Sequence, residues 1–382
     1  MAQRLYTQND YVLALCREDQ GQERLPAGIM KVRDVQPQYY LRFGKINTRL
    51  DGWYAHDEVE LLRGLNLEKF RETIEQIKLS KENLHNVPEV ERLIMSGYEM
   101  QTWYYAPFPQ ELQNPEIYCC EFCLNFMSSK RQYQRHLQKC SQKCPPGNEI
   151  YRDSKVCVFE VDGAIQKNYC RNISYIARLF LLHKTLEIDV DIFYFYVMYA
   201  KFGDSYKLVG YFSKEKPIHN ILSCILTLPC YQGKGYGSLL IDAAYMLCSR
   251  ENNIGSPEKP LSDLGYLSFM PYWQTRIIDF LSSWPDPTVS IADIAKHTLF
   301  TAVDICDSLR QKGIMLFRSS NEVVIYLKPE YVEEFYKRMV KSEDKAHHYL
   351  DSQYLHYWPV NPFMREWKGD LEPFKLDIDL NK

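Results

Sequence analysis

Cys120 and Cys123, twelve residues, then His136 and Cys140 spell C-x2-C-x12-H-x3-C, and no other stretch limits the fold of this chain so sharply. Two thiols on a tight turn, with an imidazole and a thiol one helical turn apart, can converge on a tetrahedral Zn²⁺. Phe122, Phe126, Tyr133 and Leu137 are expected to supply the apolar core such a finger needs. A DNA-reading finger would carry its contacts along residues 129–135. A single finger inside a larger block is expected instead to act as a structural staple, with Cys119 and Cys144 spare. Cys16, Cys157, Cys170, Cys248 and Cys306 are scattered singly in apolar surroundings, as reduced buried thiols are. A secreted disulfide framework belongs to much shorter chains.

A length of 382 residues exceeds one compact core and predicts two or three domains. The 46 basic and 49 acidic residues nearly balance, which argues against a generally cationic nucleic-acid-coating surface. No apolar run approaches the ~18 residues of a membrane-spanning helix. The polar start, Thr7 to Asp10, lacks a signal-peptide core, so the expectation is a soluble intracellular protein without membrane contact.

Along the chain, residues 11–15, 28–32 and 39–43 read as short strands of a β module over 1–62. Residues 63–94 read as a partly helical linker with apolar Phe70, Ile74 and Ile77, broken at Val87-Pro88. From 95 to 284 the reading is one α/β block, with the finger in 95–150 and the core in 151–284. Strands are predicted at 156–161, 192–200, 207–212 and 220–228, and helices at 173–182 and after Gly237. Residues 285–345 give two short helices (from Ser290 and from Val303) and a strand at 323–327, a winged-helix-like pattern. Acidic Asp304 and Asp307 there argue for a cap packed on the α/β block over a DNA reader; 346–382 form an extension.

The segment from Leu226 through Pro229 to Gly237 leads from a strand through a Gly-rich turn into a helix. Such a turn can aim backbone N–H groups, with the helix N-terminus behind them, at a pyrophosphate. It is neither a Walker A loop nor a G-x-G-x-x-G fingerprint. Gln232-x-x-Gly235-x-Gly237 after a strand ending in Pro resembles the coenzyme A motif of the GCN5-related acetyltransferase fold. Residues 103–109, the finger, 145–152, His183-Lys184-Thr185-Leu186, 209–216, 224–229 and 255–265 narrow the resemblance to the MYST-family histone acetyltransferases, over about 95–345. Asn47 to Trp53 resembles the chromo-barrel some members carry. The implied fold class is α/β (α+β): an acetyltransferase core with a C2HC finger, a winged-helix-like C-terminal region and a preceding chromo-barrel-like module.

The resemblance implies a nuclear enzyme that moves acetyl from acetyl-CoA to histone tail lysines, histone H4 foremost, with Zn²⁺ in its finger. It implies nucleosomes and the subunits of a chromatin-modifying complex as partners, and leaves weak nucleic-acid contact open. Glu258, between prolines, matches the catalytic base, and Cys224 matches a cysteine near the acetyl group. Direct attack by the amine is expected over an acetyl-Cys224 intermediate, because a core strand offers little to lower a thiol pKa. Ile225 and Thr227 would meet the acetyl-pantetheine arm; Gln232, Gly233, Lys234, Gly235, Tyr236, Gly237 and Ser238 the pyrophosphate; and Ser262 would lie near the cofactor. Lys184 matches the autoacetylated lysine. Gly233 stands where many members have arginine, Ser238 where lysine is common, and Pro271 where a polar residue is common, so weaker coenzyme affinity is expected. Tyr39, Tyr40, Trp53 and Tyr54 are candidates for an aromatic cage around methyl-lysine. The competing reading is a chromatin-binding adaptor with a degenerate core; a transcription factor is disfavoured by the charge balance.

Overall fold

The computed structural model describes residues 6–15, 24–33, 37–44, 50–79, 89–181, 189–216, 220–286, 289–319, 322–325, parts of 329–337, and 349–359. It divides into two compact units, one of Met1–Gly147, Val161–Val209 and Leu226–Gln232, the other of Asn148–Glu160, Gly210–Ile225 and Gly233–Lys382. Among the described residues no helix is long and apolar enough to cross a membrane.

The first unit opens with β1 (Tyr11–Leu15), β2 (Arg24–Arg33), β3 (Gln38–Arg42), β4 (Gly52–Ala55) and β5 (Val59–Leu61), a sheet of order β4-β3-β2-β1-β5. Alternation along β1 puts Val12 and Ala14 inside. They join Ile29, Tyr39, Leu41, Phe43 and Tyr54 in one core. Helices α1 (Leu65–Lys69) and α2 (Arg71–Leu79) follow. Ile74 and Ile77, three apart on one face, are buried, and α2 packs on β2. A Cβ on Gly28 would stand 2.6 Å from Ile77 Cγ2, so the bare glycine lets the helix dock. Within the stretch read as a linker, α2 therefore packs on the β module's own core.

Strands β6 (Arg92–Met95), β7 (Tyr98–Gln101), β8 (Glu116–Cys119) and β9 (Phe126–Met127) form a second sheet of order β7-β6-β8-β9, with β8 parallel to β6. Helix α3 (Lys130–Lys139) follows, its N-terminus capped by the Ser129 hydroxyl. The core sheet takes the order β10 (Asn148–Arg152), β11 (Val156–Asp162), β12 (Phe193–Phe202), β13 (Ser205–Glu215) and β14 (Cys224–Thr227). Helix α4 (Lys167–Phe180) lies between β11 and β12 in the chain and starts six residues before the predicted apolar run, because its first turns are amphipathic, with Tyr169 and Cys170 buried among polar neighbours. The strand predicted over 220–228 is correspondingly short: only Cys224–Thr227 pair as a strand, while Ile221 and Leu222 turn to bond residues 256 and 258.

In the second unit α5 (Tyr236–Arg250) and α6 (Asp263–Ser283) bury Leu240, Ile241, Trp273 and Phe280. Pro271 sits inside α6. Helices α7 (Ile291–Thr298) and α8 (Ala302–Gln311) and the hairpin β15 (Met315–Ser319) and β16 (Glu322–Ile325) complete the series. Residues 349–359 return to the same unit. Leu350 N–H donates to Asp242 at 2.7 Å, His356 N–H to the Ile150 carbonyl at 2.7 Å, and Tyr357 Oη to Glu251 at 3.0 Å.

Candidate active site and zinc centre

Cys120 and Cys123 sit on the knuckle after β8, and His136 and Cys140 on and just beyond the last turn of α3. Their donor atoms all lie within 4.8 Å of one another, with Cys120 Sγ 4.0 Å from Cys140 Sγ and Cys123 Sγ 3.2 Å from His136 Nε2. A tetrahedral zinc site has S···S edges of about 3.8 Å, from Zn–S bonds of ~2.3 Å. Three thiols and one imidazole in this arrangement fit Zn²⁺ and leave no coordination position for a substrate. The hydrogen bond from Cys123, with backbone N–H groups of Cys123 and Phe122 behind it, pushes the Cys120 thiol down to about 4. Cys119, by contrast, is fully buried and its thiol is pushed far up by desolvation, consistent with a spare cysteine.

The finger's expected core is only partly realised. Leu137 is 42% exposed, and Phe122, Phe126 and Tyr133 are half-buried. Leu124 fills the knuckle, and the rings pair outward: Phe122 with Tyr199, Phe126 with Phe108, Tyr133 with Tyr118. Between the first two ligands, Glu121 accepts from Lys207 Nζ at 3.2 Å and from the Ser96 hydroxyl, while its carbonyl accepts from Tyr199 Oη at 2.6 Å. A knuckle tied to β12 and β13 in this way has the character of a staple. Sequence reasoning missed Glu121 because its partners lie 25 to 86 positions away.

After β14 the chain makes a 3₁₀ turn over Pro229–Tyr231, then takes φ of +73° at Gly233 and +91° at Gly235, the N-cap of α5. These left-handed values are accessible to glycine without penalty. Gly235 has no side chain to take the first-turn N–H groups of α5, and Leu239 N–H is already bonded to the Gly235 carbonyl at 3.2 Å. An uncapped N-terminus of a 15-residue helix is a place for an anion. Gln232, Gly233 and Lys234 are exposed, and Tyr236, Gly237 and Ser238 half-buried. The Gln232 amide folds back to donate to the Thr227 carbonyl at 3.0 Å, closing the turn on the strand end next to Ile225.

Cys224 is half-buried, its Sγ 3.5 Å from Tyr211 Oη, another contact the sequence did not reveal. Two residues before it, Leu222 accepts from Glu258 N–H at 2.9 Å, and Ile221 N–H donates to the Ser256 carbonyl at 3.0 Å. The Glu258 loop is thereby laid along the segment entering β14, with the Glu258 side chain exposed. Lys259 Nζ reaches Asp304 Oδ1 at 2.7 Å and stands 5.1 Å over the Trp273 ring. Ser262 caps α6, its Oγ accepting from Gly265 N–H at 3.1 Å, a structural duty beside the expected cofactor one. Lys184 and its flanking motif lie outside the described residues, as do Cys16 and residues 45–49. The Thr301-x-x-Asp304 capping pattern was the available signal for the buried role of Asp304, which in the sequence counted only as an acidic residue arguing for a packed cap over a DNA reader.

In the β module Tyr39 and Tyr54 are wholly buried, donating to or sharing with His56 Nδ1 at 2.9 Å and the Leu50 carbonyl at 2.8 Å respectively. They are core, not cage. Of the four candidates, Trp53 alone keeps partial exposure; it meets Tyr40 edge-on and lies 4.0 Å below the Arg33 guanidinium.

Comparison with known proteins bears on all of this. Residues 144–355 match the MOZ/SAS family, and residues 87–140 the MYST family zinc finger domain. The chain is 40% identical over 307 residues to "Histone acetyltransferase esa1" of Emericella nidulans, covering 78% of this chain and 60% of that protein. It is 38% identical over 317 residues to "Histone acetyltransferase of the MYST family 2" of Arabidopsis thaliana, covering 75% and 71%. It is 43% identical over 292 residues to the human "Histone acetyltransferase KAT6A", covering 72% of this chain and 14% of that protein.

Proposed function

The chain belongs to the MOZ/SAS family, with its MYST zinc finger, and we propose that it is a histone lysine acetyltransferase using acetyl-CoA. The observation that carries the mechanism is the pairing of residues 256–258 with 221–222, two residues from Cys224. It gives a carboxylate on a stiff loop beside the strand that precedes the Gly-rich turn. The lysine ε-amine attacks the thioester carbonyl while Glu258 takes the proton that the ammonium must shed. The tetrahedral adduct collapses to the amide as its nitrogen sheds its second proton, and the coenzyme leaves as its thiolate, which takes up that proton or one from Glu258 or solvent. Pro257 and Pro260 hold the base at a set distance from the amine.

Direct attack suits Cys224 better than an acetyl-enzyme. Its contact at 3.5 Å is a neutral tyrosine hydroxyl, which supplies no positive charge to hold a thiolate. Ile225 and Thr227 line the acetyl-pantetheine arm, and Gln232 to Ser238 receive the pyrophosphate at the head of α5, with Lys234 its charged donor. Ser262 completes the cofactor side. Cys120, Cys123, His136 and Cys140 hold a structural Zn²⁺ that takes no part in the chemistry.

Histone H4 is the preferred tail, Lys184 becomes autoacetylated, and the protein works in the nucleus within a larger chromatin-modifying assembly. The sheet β1–β5 acts as a chromo-barrel-like module, and α7, α8 and the β15–β16 hairpin as a winged-helix-like cap. Support for the readings of the enzyme is the match of residues 87–140 and 144–355 to the family; the reading of the β1–β5 module rests on its own order of strands and on the resemblance of residues 47–53.

Acetyl transfer to a panel of core histones, read site by site by mass spectrometry at neutral and raised pH, tests the proposal. Wild type acetylates tail lysines, H4 foremost. Glu258→Gln loses about 10²- to 10⁴-fold at neutral pH and recovers part of it where solvent deprotonates the amine. Cys224→Ser retains transfer. A folded, zinc-loaded wild type that binds nucleosomes and transfers nothing would mark an adaptor instead.

A further inference from the structure

We propose that Asp304 is a positioning residue for the acetyl-transfer base, acting through Lys259; the inference rests on the reading of Glu258 as that base. The Asp304 side chain is 1% exposed and Lys259's is 47%, so the ion pair links an interior anion to a surface loop. Asp304 is itself fixed. Its Oδ2 accepts from Thr301 Oγ1 at 2.7 Å, its N–H donates to Thr301 Oγ1 at 3.3 Å, and its carbonyl accepts from Ser308 Oγ at 2.6 Å. Oδ1 is left for Lys259 Nζ at 2.7 Å. A carboxylate so deeply buried is strongly disfavoured without a cation, so Lys259 is held as its counterion and does not swing as a surface lysine would. The Trp273 ring beneath the ammonium, 5.1 Å away, adds a second hold, and Trp273 is pinned by Nε1 donating to Tyr245 Oη at 2.8 Å.

The loop is thus tied on both sides of its exposed carboxylate. Glu258 N–H is bonded to Leu222, the Ser256 carbonyl to Ile221 and Gly255 N–H to the Leu299 carbonyl at 3.0 Å, and the residue after Glu258 is bonded to Asp304. Releasing Lys259 frees the chain on one side of Glu258 and leaves the coenzyme turn untouched. The loss therefore falls on kcat and spares the KM for acetyl-CoA.

The test is steady-state acetylation of histone H4 by the full, zinc-loaded chain. Asp304→Asn and Lys259→Met each lower kcat by about ten- to a hundredfold, with the KM for acetyl-CoA within about twofold. The double variant is no worse than either single one, and Lys259→Arg restores most of the rate. At raised pH, where Glu258→Gln still transfers measurably, adding Asp304→Asn or Lys259→Met to it changes nothing further, because the base they position is gone. The proposal is overturned by an unchanged kcat, by a loss confined to KM, or by a loss that persists undiminished in the Glu258→Gln background, as a purely structural role would give. If Asp304→Asn fails to fold, Lys259→Met, at a half-exposed side chain that leaves the Thr301 cap intact, carries the decision. A Glu258→Gln enzyme as fast as wild type would overturn the base assignment itself and this proposal with it, a result read from that single variant alone.

Discussion

Gly233 combines a backbone φ of +73° with open space where a Cβ would stand. Restoring the arginine common in the family by Gly233→Arg therefore meets no steric bar, only the left-handed backbone penalty of roughly 1–2 kcal/mol. That strain is present with and without coenzyme, so it lowers the melting temperature and leaves affinity alone. The added guanidinium can pair with the pyrophosphate, a charge-assisted contact of about 1.5–3 kcal/mol. The expected outcome is a KM for acetyl-CoA lowered roughly tenfold, with a melting point a few degrees lower; initial-rate kinetics and calorimetry check both. Asp51 poses a different residue-scale question. Arg42 lies 3.5 Å away and Phe43 N–H donates to Asp51 at 2.9 Å, both of which pull its pKa down, yet burial outweighs them and pushes it up to about 7 from 3.8. An acid whose pKa rises on folding binds its proton more tightly in the folded state. Its contribution is fully present below pH 3.8 and is lost as pH climbs through about 7. The β module should therefore lose stability between these limits, and Asp51→Asn should flatten that slope in denaturant titrations across pH.

At the scale of elements, the zinc knuckle shows what spacing reveals and what it hides. The four ligands were legible because C-x2-C and H-x3-C are local geometries. The finger's packing was not: α3 has no fully buried residue, so Leu137 faces solvent while Phe122 stacks on Tyr199, a ring 77 positions away by number. The same long reach makes the metal a fastener for more than its own loop. Removing it with a chelator, or by Cys123→Ser, should release Glu121 from Lys207 and Ser96, lower the melting temperature by well over the ~2–4 °C that 1 kcal/mol brings in a large domain, and take acetyl transfer with it. Metal content by atomic absorption alongside calorimetry reads both. Helix α2 went the other way. Ile74 and Ile77 were recognised as apolar, but the glycine that receives Ile77, Gly28, precedes the helix by 43 residues and carries no hydrophobic signal of its own. The C-terminal strap was invisible for the same reason. Leu350 N–H bonds to Asp242, 108 positions back, whose other oxygen accepts from Tyr272 Oη at 2.6 Å. Asp242→Ala deletes both acceptors inside the protein and should cost about 2–4 kcal/mol, with hydrogen exchange at Leu350 rising first.

For the molecule as a whole, the order of strand, Gly-rich turn and helix was legible because each is a local signal, whereas the approach of Glu258 to the segment before Cys224 depends on two backbone hydrogen bonds across more than thirty residues. Family membership was legible sooner than packing, since a motif lists its residues in order and a core does not. That asymmetry frames a last expectation about division of labour. Among the described residues, the buried core of the first sheet comes from residues 12–59, with Tyr6 packed against it and α2 covering it through Ile74 and Ile77, and no proposed site residue lies before Cys120. Among the described residues, the Arg33–Glu91 ion pair links this module to the finger sheet, and a Cβ on Gly52 would stand 3.8 Å from Gln101 Nε2. A core that is complete within some eighty residues is near the lower limit for independent folding, but within it. A chain beginning at residue 89 should then acetylate an H4 tail peptide with kcat within about twofold of the full chain, because positioning of base and coenzyme uses nothing it has lost. The isolated 1–79 segment should fold cooperatively, with a β-rich circular dichroism spectrum. Any role of the module in recognition would surface only on nucleosomes, as a raised KM for the shortened chain at unchanged kcat. An equal loss on peptide and nucleosome would instead make the module part of the catalytic scaffold, with the Arg33–Glu91 contact the first place to look for the coupling.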